Sequence, residues 1–163
     1  MKAPPIAACA LAAVAVLLAA APVRAADAKL GAVTVLQPWS RPAQAGMNGV
    51  GFLTIANAGK TPVTLKGAQS PAAGKIEIHQ SAMADGVMTM RRQDAGVVIP
   101  PGGEVAFAPG GYHFMLLGLK RAQGPGQKVP VTLLFDKGRK LQVELTVQLA
   151  PPPAARAMPE HAH

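Results

Sequence analysis

The sequence predicts an all-β domain, an antiparallel sandwich or barrel of Greek-key type, on three observations. Glycine and proline, 17 and 16 of the 163 residues, punctuate the chain about every eight to twelve residues, the spacing of turns between short strands. The runs between them alternate apolar and polar side chains, as in Val131-Thr132-Leu133-Leu134-Phe135 and Leu141-Gln142-Val143-Glu144-Leu145-Thr146-Val147, the period of a half-buried strand. Beyond the N-terminal leader, no segment carries a 3.6-residue apolar stripe longer than two turns. Many short strands with turn signals at this spacing make a sandwich or barrel.

The leader is MKAPPIAACALAAVAVLLAAAPVRA. Lys2 supplies a positive start, Ile6 to Ala21 is an uncharged apolar run, and Val23 and Ala25 put small residues at the −3 and −1 positions of a cleavage site. This is the pattern of a secretory signal peptide over residues 1–25, cut after Ala25. The apolar run falls short of the ~20 residues that a spanning helix needs, so no stable membrane anchor is expected. Ile6-Ala7-Ala8-Cys9 superficially resembles the cleavage box of a bacterial lipoprotein. The apolar run that should precede such a box follows it instead, which argues against lipidation. Cys9 is the only cysteine, so a chain starting at Ala26 has no disulfide, reactive thiol or thiolate ligand.

Residues 26–149 are enough for one domain with a sizeable core. Its expected strands are Ala32–Leu36, Val50–Asn57, Thr61–Ala68, Lys75–Gln80, Val87–Arg92, Gly103–Phe107, His113–Leu119, Lys128–Phe135 and Lys140–Gln148. Turn residues mark their borders: Asn57-Ala58-Gly59, the hairpin signal Asp85-Gly86, Pro100-Pro101-Gly102-Gly103, Pro109-Gly110-Gly111 and Lys137-Gly138. From residue 150 to 163 the chain becomes a proline- and alanine-rich segment with too little apolar mass to pack, expected to be a flexible tail.

The leader takes two of the sixteen basic residues, Lys2 and Arg24, and leaves a net charge of +6. Those charges are scattered, in pairs at most (Arg91-Arg92, Lys120-Arg121), with one Trp and one Tyr for stacking. Nucleic acid is therefore not an expected partner. The charge suits solubility and some attraction to a membrane surface or a partner.

The chemistry concentrates between Lys75 and Lys120. This stretch holds His79 and His113, the only histidines outside the C-terminal end, and Met83, Met88, Met90 and Met115, four of the seven methionines. Imidazole with thioether is a soft, low-charge donor set that favours Cu(I) over hard cations. Strand alternation puts Ile76 and Ile78 on one face and Glu77 and His79 on the other. Likewise Phe114 and Leu116 fill the core while His113 and Met115 share the opposite face. A loop of Ala84-Asp85 would set His79 directly opposite Met90; a loop centred on Asp85-Gly86, or a three-residue loop with a bulge at Gly86, slips the pairing by one or two residues. Either way the two side chains stay within reach. Glu77 is placed to orient the His79 ring. Met47, by contrast, is expected to fill a gap in the core.

The same residues carry a family resemblance. The chain resembles the periplasmic Cu(I) chaperone family known as PCu(A)C, whose signature is a histidine, ten residues, a methionine, about twenty-one residues, then H-x-M. Here His79 is followed after ten residues by Met90, and after twenty-two more by His113-Phe114-Met115. The extra residue is assigned to the loop near Pro100–Gly103. The optional methionine after the first histidine is absent, with Gln80 in its place. Pro38-Trp39-Ser40-Arg41, Ile55-Ala56-Asn57-Ala58-Gly59, Ser70-Pro71-Ala72-Ala73 and Pro109-Gly110-Gly111-Tyr112-His113 are similar to family landmarks in the same order. The resemblance covers Val33 to Val147.

It implies a cupredoxin-like Greek-key β-sandwich that binds one Cu(I) near its surface through His79, Met90, His113 and Met115. It further implies delivery of copper in the periplasm to the binuclear copper site of cytochrome c oxidase, during oxidase assembly. The implied partners are the copper-bearing oxidase subunit and a thioredoxin-like copper protein. A monomer is expected. Blue-copper electron carriers share this fold class but need a cysteine thiolate beside two histidines, which a chain starting at Ala26 lacks. No nucleophile–base set suggests an enzyme. Copper scavenging or resistance is the alternative within the same chemistry, and a metal-free interaction module the remote one. In the tail, Met158, His161 and His163 form a candidate auxiliary site, suited to Cu(II) through the two histidines.

Overall fold

The computed structural model describes residues 27–153. The expected signal peptide and the candidate tail ligands Met158, His161 and His163 lie outside the described residues. Eleven strands run in order: β1 (Ala28–Leu30), β2 (Val33–Ser40), β3 (Gly49–Asn57), β4 (Val63–Gln69), β5 (Ala73–Ala84), β6 (Val87–Arg92), β7 (Val97–Ile99), β8 (Glu104–Phe107), β9 (Tyr112–Leu119), β10 (Lys128–Phe135) and β11 (Lys140–Val147). A 3-10 turn, Asp136–Gly138, joins the last two. Among the described residues no helix is long and apolar enough to cross a membrane.

Two strands were not visible in the alternation. β1 and β7 are three residues each, too short to show a period of two, and each forms only against a longer partner, β1 on β2 and β7 on β4. β5 instead runs four residues past its expected end, because its far half is paired with β6 rather than held by the core.

The strands follow the order β6-β5-β9-β8-β3-β2-β11-β10-β4-β7, with β1 on β2 and a further β3–β9 pairing. Pairing is antiparallel except between β11 and β2 and at one contact of β8 with β9, so the sheet is mixed rather than purely antiparallel. The cause lies in β2. Gln37 has a positive φ of 50°, Pro38 has no N–H to donate, and the register with β3 shifts between Leu36 and Trp39. Beyond this bulge Trp39 and Ser40 lie beside Thr146 and Val147 of β11 while still pairing with β3, so one bent strand belongs to both layers.

The layers close on one core. Ile76, Ile78, Phe114, Leu116 and Ile55 meet Leu65, Val131, Leu133, Val143 and Leu145 in a single buried cluster. The layers approach closely at Gly51, where a Cβ would lie 2.7 Å from Leu145 Cδ1 and would push that side chain aside. Met47 is not part of this core. It is 62% exposed, in the loop before β3, where its carbonyl accepts the N–H of Leu119. It belongs to no alternating run, so no strand turns it inward.

Phe114 anchors the functional strand β9. It is fully buried and stacks on Phe107 with ring centroids 4.7 Å apart and planes at 7°. Phe114→Ala is expected to destabilise the domain by about 3–5 kcal/mol through lost burial and a residual cavity. Urea unfolding followed by Trp39 fluorescence measures the change.

Candidate metal centre

The site is built by two strand pairings. β5 pairs with β9 so that His79 opposes His113 and Glu77 opposes Met115. On its other edge β5 pairs with β6, where His79 opposes Arg92, Ser81 opposes Met90 and Met83 opposes Met88. Opposed residues share a face. One face of this three-stranded ribbon therefore carries every histidine and methionine between Lys75 and Lys120, and the other carries Ile76, Ile78, Phe114 and Leu116 into the core.

The hairpin turn decides where Met90 stands. Asp85 and Gly86 have φ of 51° and 75°, the two left-handed positions of a type I′ turn, which glycine adopts freely and aspartate tolerates. Ala84 and Val87 close it. Of the registers open to the sequence, the one adopted sets Met90 two residues away from the position opposite His79. The two side chains are diagonal neighbours, at the about 7–8 Å spacing that long side chains can span. Met90 is mostly exposed, whereas Met115 is half-buried and faces Val50 of β3. The structure thus brings His79, His113 and Met115 together and leaves Met90 at the outer side.

Each imidazole has one nitrogen held and one left over. His113 is 5% exposed, and its Nδ1 lies 3.1 Å from the Gly111 carbonyl oxygen. A carbonyl only accepts, so Nδ1 carries the hydrogen and Nε2 keeps its lone pair. His79 Nε2 lies 2.9 Å from Glu77 Oε2, so by the same logic Nε2–H donates and Nδ1 keeps the lone pair. That Nδ1 is buried and has no hydrogen-bond partner. Such an orphaned acceptor costs about 1–3 kcal/mol, and a cation bound there would remove the penalty. The two rings have centroids 5.8 Å apart. Among the described residues no three of His, Cys, Asp and Glu converge as a metal-holding group. The donors on offer are imidazole and thioether, a set that fits a soft monovalent ion.

Glu77 organises the charge around the pair. Its Oε1 accepts from Lys75 Nζ at 2.6 Å and from Arg92 Nη1 at 3.2 Å, while Oε2 takes His79. The hydrogen bond from Lys75, then that from His79, hold the carboxyl down to about 2. It is therefore ionised wherever the protein works, and it can only accept, which keeps the His79 ring in one tautomer. Arg92, also bound to Asp94 at 2.6 Å, closes the other side. The roles of Arg92 and Lys75 were not read from the sequence. The signal was present, since Asp85-Gly86 as a type I′ turn places Arg92 opposite His79.

Residues 33–147, the span that holds all four candidate ligands, match a family model described as "Putative lipoprotein LpqE-like". The chain belongs to the LpqE-like family. A relative in Leifsonia xyli, described as a putative lipoprotein, is 36% identical over 116 residues, 71% of this chain and 69% of its own length. The chain spans about two thirds of the length of such curated relatives. Among solved structures, the LpqE-like domain is similar to an apo PCuAC domain from PmoF1, with a TM-score of 0.64 and 25% identity over 77% of this chain and all of that one. It is also similar to the Cu(I) form of DR1885 from Deinococcus radiodurans, with a TM-score of 0.52 and 29% identity over 68% of this chain and 76% of the other. The fold of this LpqE-like domain is therefore PCuAC-like, a cupredoxin-like β-sandwich.

Because Glu77 fixes the ring that presents Nδ1, Glu77→Ala is expected to weaken soft-metal binding by about 10–100-fold, as losses of such outer partners do. Competition against a chromophoric Cu(I) chelator measures it.

Proposed function

We propose that the protein is a periplasmic Cu(I) metallochaperone that supplies the binuclear copper site of cytochrome c oxidase. The observation that carries the reading is the opposed pair His79 and His113, each with one nitrogen tied to a protein acceptor and the other left as a lone pair, with Met115 beside them. His79 Nδ1, His113 Nε2 and Met115 Sδ would hold the ion, and Met90 would complete the set by reaching in from the diagonal position. The Cu(I) form of the similar DR1885 supports copper as the cargo.

Carriage rather than catalysis or electron transfer suits this donor set. Two imidazoles and two thioethers are neutral, so the bound ion keeps its +1 charge. No thiolate from Ala26 onward competes with a cysteine-bearing acceptor. Transfer would go by ligand exchange, with Met90, mostly exposed on an edge strand, the ligand most easily replaced. The copper-bearing oxidase subunit and a thioredoxin-like copper protein are the proposed partners. Export with cleavage after Ala25, without lipid on Cys9, places the site in the periplasm; N-terminal sequencing and intact mass of the chain recovered from that compartment should give Ala26 as the first residue. A retained leader, or a lipid-modified Cys9, would be inconsistent with it.

His113→Ala or Met115→Ala should weaken Cu(I) binding by more than the ~10–100-fold expected for loss of an outer partner. Unchanged affinity in competition titrations would sink the copper assignment. Deletion of the gene should lower oxidase activity at limiting copper; heightened copper sensitivity with normal oxidase would point to scavenging instead.

A further inference from the structure

The β5–β6 hairpin carries apolar side chains that the core does not use. Met83, Val87, Met88 and Met90 are 63%, 62%, 57% and 55% exposed, on a hairpin whose outer strand β6 is a sheet edge. The two faces of the hairpin differ. One carries Gln80, Ala82, Ala84, Val87, Thr89 and Arg91; the other carries His79, Ser81, Met83, Met88, Met90 and Arg92. All three methionines are on the face of the histidine pair.

Their placement is regular. Met83 and Met88 oppose each other directly, one pair inward from the Ala84–Val87 pair that closes the turn. In a two-residue hairpin this is the non-hydrogen-bonded position, where opposed side chains come closest. Met90 follows two residues along the same face, about 7 Å away at the strand rise. The next step along that face is His79, then across β5 to His113. Soft donors thus occupy successive positions from the exposed tip to the buried ring.

We propose that Met83, Met88 and Met90 form a second Cu(I) site, made of thioethers alone, at the tip of the hairpin. Thioethers select Cu(I) by softness. Three neutral donors leave the complex at +1, a charge that solvent at this exposed tip can stabilise. Such a site holds its ion loosely and exchanges it readily. It needs neither histidine. Met90, two residues from Met88 and diagonal to His79, can serve only one ion at a time: it joins the histidine site when one ion is bound and the tip site when both are, the first ion then resting on His79, His113 and Met115.

The test uses the mature chain with its tail, labelled with 13C at the methionine methyls. Ag(I), a redox-inert ion of the same charge and softness, is titrated in and the methyl signals are followed by NMR. The Met83 and Met88 methyls are expected to move together, at a different equivalent from the one that moves Met115. A Met83→Leu/Met88→Leu double variant, conservative and fully on the surface, should bind one ion fewer while its first-ion affinity is unchanged. The methyl of Met158 reports separately on any ion taken by the tail. Methyls of Met83 and Met88 that stay still at saturation, or that move in step with Met115, overturn the second site; so does an unchanged ion count in the double variant. Failure of the histidine site looks different: His113→Ala leaves the first ion unaffected while Met83 and Met88 still respond.

Discussion

The register between β5 and β9 is the constraint on which the site depends. It is set on the buried side, where Ile76 and Ile78 of one strand and Phe114 and Leu116 of the other enter the common core. A slip of one residue by either strand would turn that strand's two core residues toward solvent, so the apolar face enforces the pairing and the other face inherits it. His79 meets His113, and Glu77 meets Met115, because the isoleucines and Phe114 have no alternative. Ligand geometry is in this sense a by-product of burial. The rigid side of the ribbon positions the soft side.

The second pairing of β5 has no such enforcement. Every residue of β6 lies outside the core, so no burial enforces its register, which starts from the two-residue turn Asp85-Gly86. Local turn chemistry thus determines how far Met90 stands from the histidines, while tertiary packing determines how far His113 and Met115 stand. A centre assembled from one firmly held edge and one loosely held edge suits the carriage proposed for it, in which an ion is retained and then released. Glu77 joins the two, taking hydrogen bonds from its own strand and from Arg92 of β6.

Charge at the centre is arranged at one remove from the donors. The donors themselves are neutral, and the one carboxylate in contact with them is engaged by Lys75 and Arg92. Net charge is therefore carried by groups that are half exposed and screened by solvent, not by the groups that would bind the ion. The selection left to the site is softness rather than electrostatic attraction, in keeping with a soft monovalent ion.

Much of this was legible in the sequence, for local reasons. Period-two alternation is a property of neighbouring residues, so the strands carrying Ile76–His79 and His113–Leu116, their buried and open faces, and the soft character of the open face could be read from Lys75–Lys120 directly. The family resemblance rests on the same positions, His79, Met90 and His113-Phe114-Met115, and residues 33–147 match the LpqE-like family. What the sequence could not carry were facts that need two segments at once. β1 and β7 exist only against β2 and β4; the parallel contact of β2 with β11 needs the bulge at Gln37; and Met47 is exposed because no strand claims it. The tautomers of His79 and His113 likewise depend on where Glu77 and Gly111 come to lie. Sequence alone determined which side chains could bind a soft ion and which face they share. Only tertiary structure decided which nitrogen of each ring is left free, because that depends on hydrogen-bond partners brought within 3.1 Å by the folded ribbon.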